Sequence, residues 1–144
     1  MSPKGNRHEL VSGALHNWLR RNLPPEIDYH PEPGWHADET NYFEPDFLLG
    51  AEGFDRTSVN PADVLLLIEV AHSSLAFDTT TKASQYAALG VREYWVVNAV
   101  TLATRTHRKP AASGYGQVDI VAANDRLSAL LIPSLALTLA SLRL

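Results

Sequence analysis

Val64-Leu65-Leu66-Leu67-Ile68-Glu69-Val70, then Asp78-Thr79-Thr80-Thr81-Lys82, then Gly90-Val91-Arg92-Glu93-Tyr94-Trp95-Val96-Val97 follow one another closely, and their order decides the fold. The first segment is almost unbroken in apolar residues, the pattern of a strand buried on both faces. Asp78 reads as the N-cap of a helix in which Ala83, Tyr86, Ala87 and Leu89 recur at helical spacing, and Gly90 suits the left-handed position that closes it. The third segment is aromatic and β-branched, hence a second strand. Strand, helix and strand at this spacing require a crossover, so the two strands should be parallel neighbours covered by the helix.

Outward from this unit, His8 to Leu23 carries Leu10, Val11, Ala14, Leu15, Trp18 and Leu19 at helical spacing, with Pro24-Pro25 as its stop. Glu26 to Trp35 can hold a short edge strand, limited by Pro31 and Pro33. Asn41 to Leu49 reads as a strand entering the core, and Gly50 to Asn60 as a loop. Leu102 to Arg108 predicts an antiparallel strand, ended by Lys109-Pro110, and Tyr115 to Ala122 another; short apolar runs at Leu127–Ile132 and Leu135–Leu142 follow. The expected architecture is α/β, a mixed β-sheet flanked by helices, in one domain over residues 1–144.

The composition narrows the function. No cysteine is present, which excludes disulfides, thiolate catalysis and cysteine-bound zinc. The polar start, Met1 to Glu9, has no apolar signal core, and no apolar run is long enough to span a bilayer, so a cytoplasmic protein without a membrane partner is expected. A formal charge of −4 argues against indiscriminate nucleic-acid binding, which depends on neutralising phosphates with Lys and Arg. His30 and His36 lack metal-ligand spacing and read as surface residues.

Two carboxylates interrupt apolar, strand-like runs: Asp46 after Pro45, and Glu69. Charge in such a run needs compensation. If the two strands are neighbours, their acids meet at one end of the sheet, where each raises the other's pKa and a divalent cation stabilises both. Mg²⁺ is the natural ion, with Mn²⁺ as a substitute, and the Val70 backbone carbonyl can complete the inner shell. Lys82, one turn after Asp78, can orient the attacking water and neutralise a phosphorane-like charge. Its plainer reading is an i,i+4 pair with Asp78. Arg105, Arg108 and Lys109, with Arg92, offer phosphate contacts, although strand alternation divides them between two faces.

The order Pro45-Asp46, Ile68-Glu69-Val70, Ser73-Ser74, Asp78-x-x-x-Lys82-x-x-x-Tyr86 and Gly90-Val91-Arg92-Glu93-Tyr94-Trp95-Val96-Val97 resembles the Uma family of restriction endonucleases in the PD-(D/E)xK nuclease superfamily. The likeness extends from Arg7-His8-Glu9 to Ile132-Pro133-Ser134-Leu135. It implies a restriction-endonuclease-like core and Mg²⁺-dependent hydrolysis of phosphodiester bonds, with DNA as substrate. Asp46 and Glu69 would be metal ligands. Glu69-Val70-Ala71 has alanine where the superfamily tripeptide has lysine, and the resemblance assigns that role to Lys82 on the following helix. Glu9 matches an acidic position near the metal in some members. Asn98, where the family often has aspartate, reads as a turn residue. A symmetric homodimer would be the simplest way to cut both strands. The alternative is a catalytically silent module that keeps the fold for binding or assembly.

Overall fold

The computed structural model describes residues 5–144; the first four residues of the polar N-terminal stretch lie outside them. A six-stranded sheet runs in the order β1-β4-β5-β6-β7-β8, from β1 (Ile27–Pro31), β4 (Phe47–Ala51), β5 (Leu66–Ala71) and β6 (Glu93–Asn98) to β7 (Thr104–Ala111) and β8 (Gly114–Val121). β5 and β6 are parallel and joined by helices, while every other pairing in this sheet is antiparallel. The crossover expected from the sequence is therefore present. Two short pairs, β2 (Trp35–His36) with β3 (Tyr42–Phe43) and β9 (Leu127–Ser128) with β10 (Ala136–Leu137), complete the mixed α/β architecture.

Alternation along β5 assigns its residues to two cores. Leu66, Ile68 and Val70 pack with Trp95 and Val97 beneath α1 (Asn6–Asn22), whose Val11, Leu15 and Leu19 are buried. Leu67 and Ala71 pack on the other face with Tyr94, Val96, Ala83 and Tyr86, the last two from α3 (Thr81–Leu89). By the same alternation Glu69 belongs to the α3 face. No helix of the described residues is long and apolar enough to cross a membrane.

Three local differences from the sequence reading bear on the site. The expected Asn41–Leu49 strand is divided into β3 and β4, because Pro45 has no N–H for a ladder; Asp46 thus immediately precedes β4. Asp78 is not a helix cap. It lies in α2 (Leu75–Thr79), which starts four residues earlier than the sequence suggested, and Thr80, at φ −119 and ψ −80, breaks α2 from α3. Buried at this break, the Asp78 carboxylate accepts from Ser74 Oγ at 2.8 Å instead of capping. β7 also runs through Lys109-Pro110 to Ala111, with Lys109 in the left-handed region at φ 59. Gly90 closes α3 as expected, at φ 90, and the Asn98 carboxamide accepts from Val100 and Thr101 N–H groups in the turn after β6.

Candidate active site

Asp46 and Glu69 are brought together by the β4–β5 register, in which Phe47 pairs with Ile68; one step further sets Asp46 opposite Glu69. Reciprocal bonds hold them. The Asp46 N–H donates to Glu69 Oε1 at 3.0 Å, and the Val70 N–H donates to Asp46 Oδ2 at 2.7 Å. A residue's N–H and C=O leave a strand on the same edge, so the Val70 carbonyl is also directed to the Asp46 side. Both acids are buried, at 6% and 4% exposure.

Lys82 arrives from α3. Its Nζ lies 3.0 Å from Glu69 Oε2 and 3.3 Å from Asp78 Oδ1, so the ammonium bridges the two acids: the i,i+4 pair with Asp78 is present, and a second contact reaches Glu69. Tyr86 Oη, one turn on, donates to Glu69 Oε2 at 3.4 Å. Burial, then the like charge of Asp46, pushes Glu69 up to about 8 against the opposing pull of Lys82. For Lys82, burial alone acts downward, but the Glu69 and Asp78 carboxylates outweigh it and raise the pKa. The two directions are in tension, since a protonated Glu69 would hold Lys82 less tightly. The Glu69 direction is the firmer, because burial and the Asp46 charge act on it together.

α1 contributes a residue that the sequence reading passed over. Buried His8 places Nε2 at 3.2 Å from Asp46 Oδ2, while Glu9 is exposed, 3.6 Å from His8 Nδ1. The signal for His8 was present in the sequence: His8, Val11, Leu15 and Leu19 form one helical stripe, and only its first member is polar.

These groups open onto a cavity of about 290 Å³, whose wall includes Ser73, Ser74 and Phe77. The cations proposed for phosphate contact do not gather around it. Arg105 is exposed and paired with Val96, which pairs with Glu69, so it stands on the same face two strands away, roughly 10 Å. Arg108 is committed elsewhere: its Nη2 and Nε lie 2.7 and 2.8 Å from Glu93 Oε2, and Nη2 also donates to the Ser128 carbonyl. Arg92 precedes β6 beside Leu65, about four strand positions or roughly 13 Å from the level of Glu69. Lys109 is exposed beyond Arg108, at that same remote end.

The donor set suits a hard cation that takes one or two carboxylates and completes its shell with water or backbone oxygen, as Mg²⁺ does. It does not provide an all-side-chain cage: no group of three or more His, Cys, Asp or Glu placed to hold a metal occurs among the described residues.

Comparison with known proteins places the chain in a family. A solved structure titled as a putative nuclease belonging to DUF820, from Anabaena variabilis ATCC 29413, superposes with a TM-score of 0.67 over 96% of this chain and 80% of that one. At 12% identity this likeness concerns the fold. No curated protein matches. The profile of the Uma2 family, described as "Putative restriction endonuclease", matches residues 1–140, and the chain belongs to that family.

Proposed function

We infer that the Asp46–Glu69–Lys82 cleft is a phosphodiester site of nuclease type, in a single restriction-endonuclease-like domain spanning residues 1–144. Two forms of this reading differ in what they require. A catalytically silent nuclease-fold module, used for binding or assembly, requires nothing beyond the contacts in place: Asp46 is engaged by His8 and the Val70 N–H, and Glu69 by Lys82 and the Asp46 N–H. Together with the donor count, these contacts make it the better supported form.

The second form is a Mg²⁺-dependent endonuclease acting on DNA, and one observation favours it. A lysine from the crossover helix reaches within 3.0 Å of Glu69, a placement that an i,i+4 pair with Asp78 does not need. Asp46, Glu69 and the Val70 carbonyl would hold the ion, which when bound supplies Lewis acidity and lowers the pKa of its water. Lys82 would orient the attacking water and offset charge on the phosphoryl oxygens. His8 and the Val70 N–H would fix the orientation of Asp46, and Arg105 would contact a neighbouring phosphate. Two copies would serve the two strands of a duplex.

Titration calorimetry with MnCl₂, alongside a plasmid-nicking assay in Mg²⁺, separates the two. Heat of binding at one site with nicking supports the endonuclease; a silent titration and an intact plasmid leave the binding module. If the ion binds, His8→Ala should weaken Mn²⁺ affinity by about 10–100-fold, the usual cost of losing a group that orients a ligand. An unchanged affinity would remove His8 from the site.

A further inference from the structure

Phe77 is 51% exposed and stands in the wall of the cleft, with Lys82 Nζ 5.7 Å from its ring centroid. Single apolar residues are common on protein surfaces. This one differs in place: the ammonium under its ring is the one that contacts Glu69 at the centre of the cleft. The charge around it is unfavourable for an anion. Among the described residues of the cavity wall, the acids Glu44, Asp46 and Asp78 stand against one ammonium, that of Lys82, and the whole chain carries −4. Phosphate neutralisation therefore contributes little to holding a nucleic acid here, and another source of affinity is needed.

We propose that Phe77 is a stacking platform for a nucleobase beside the cleft, and that the nucleic acid it selects is single-stranded. This rests on the reading of the cleft as a phosphodiester site. An aromatic ring on the rim supplies attraction that does not depend on net charge, because every base has a π-face. In a duplex those faces are already stacked on their neighbours, and freeing one costs a few kcal/mol. In a single strand, or a frayed end, they are available. The exposed ring thus favours a strand whose base faces are free, while the acidic lining weakens phosphate-based binding of either form. Phe77 lies outside the group proposed to hold the metal.

The test is fluorescence anisotropy in EDTA with fluorescein-labelled ten-nucleotide dT and rU strands and a DNA duplex of mixed sequence, using wild-type protein, Phe77→Ala and Phe77→Tyr. Wild type should bind a single strand more tightly than the duplex. Phe77→Ala should weaken single-strand binding roughly ten-fold, the effect of one lost stack, and leave duplex binding unchanged, while Phe77→Tyr stays within about three-fold of wild type. The dT and rU arms report which sugar the site accepts. A single strand that does not bind, binds no better than duplex, or binds equally well to Phe77→Ala overturns the proposal. Because no divalent ion is present, Phe77-dependent binding without any Mg²⁺-dependent cleavage would sustain this inference and defeat only the hydrolytic one.

Discussion

Glu69→Gln is expected to raise the melting temperature and, if the protein is the proposed endonuclease, to abolish its Mg²⁺-dependent cleavage. The loss should exceed the 10–100-fold that outer partners of a metal ligand cost, hence at least about 10³-fold. The gain follows from the same burial. Glu69 is held near 8 by its buried position and by Asp46, against an ordinary value of 4.5. A carboxyl whose pKa is raised on folding contributes full stability below its unfolded value and loses it as pH rises through the folded one. Wild type and variant should therefore melt alike below about pH 4.5, and a gap of several degrees should open towards pH 9, where glutamine carries no buried charge. Scanning calorimetry across that pH range, paired with the nicking assay, reads both effects. Cleavage that survives in the variant would remove Glu69 from the catalytic group. A melting gap without any cleavage in wild type would fit the silent module. No gap at all would mean that Lys82 compensates Glu69 fully.

Arg108→Ala should be among the most destabilising single changes in the chain, at about 3–5 kcal/mol. Glu93 is completely buried at the start of β6 and is satisfied on both oxygens. Oε2 accepts from Arg108 and from Trp95 Nε1 at 3.0 Å, while Oε1 accepts from the Leu130 N–H at 2.7 Å. Removing the guanidinium leaves an uncompensated carboxylate in the core and frees the Ser128 carbonyl that ties β9 to the sheet. Urea unfolding should show the loss as a lower midpoint. A second variant keeps the argument testable: Glu93→Gln combined with Arg108→Met should recover part of the stability, since no charge then remains buried. A cost below about 1 kcal/mol for Arg108→Ala would show that the pair behaves like a surface ion pair. Arg108 is a structural cation of the sheet.

Glu93 and Glu69 show how far the linear chain could be read. Each is a glutamate beside apolar, strand-forming residues, and the rule that such runs exclude uncompensated charge marks both equally. For Glu69 the partner came from α3 and the adjacent acid from the residue before β4; for Glu93 it came from β7 and the loop after β9. Which glutamate belongs to a site depends on what stands across the ladder, and that is a long-range fact. Asp78 shows a shorter-range limit. Its helix was evident from spacing, but the break at Thr80 was not, and a residue suited to capping became a buried partner of Lys82. His8 was legible in principle, as the polar member of an otherwise apolar stripe.

By itself, the order of Val64–Val70, Asp78–Gly90 and Val91–Val97 determined the parallel β5–β6 pair and its covering helices. Period and turn chemistry are local, and a short crossover leaves little topological choice. The sequence also singled out Asp46, Glu69 and Lys82. Tertiary structure alone decided that these three meet, with Lys82 bridging Glu69 and Asp78, that His8 rather than Glu9 reaches Asp46, and that Arg108 serves Glu93. Those outcomes depend on register and on the direction of side chains across two faces of a sheet, which residue spacing does not encode.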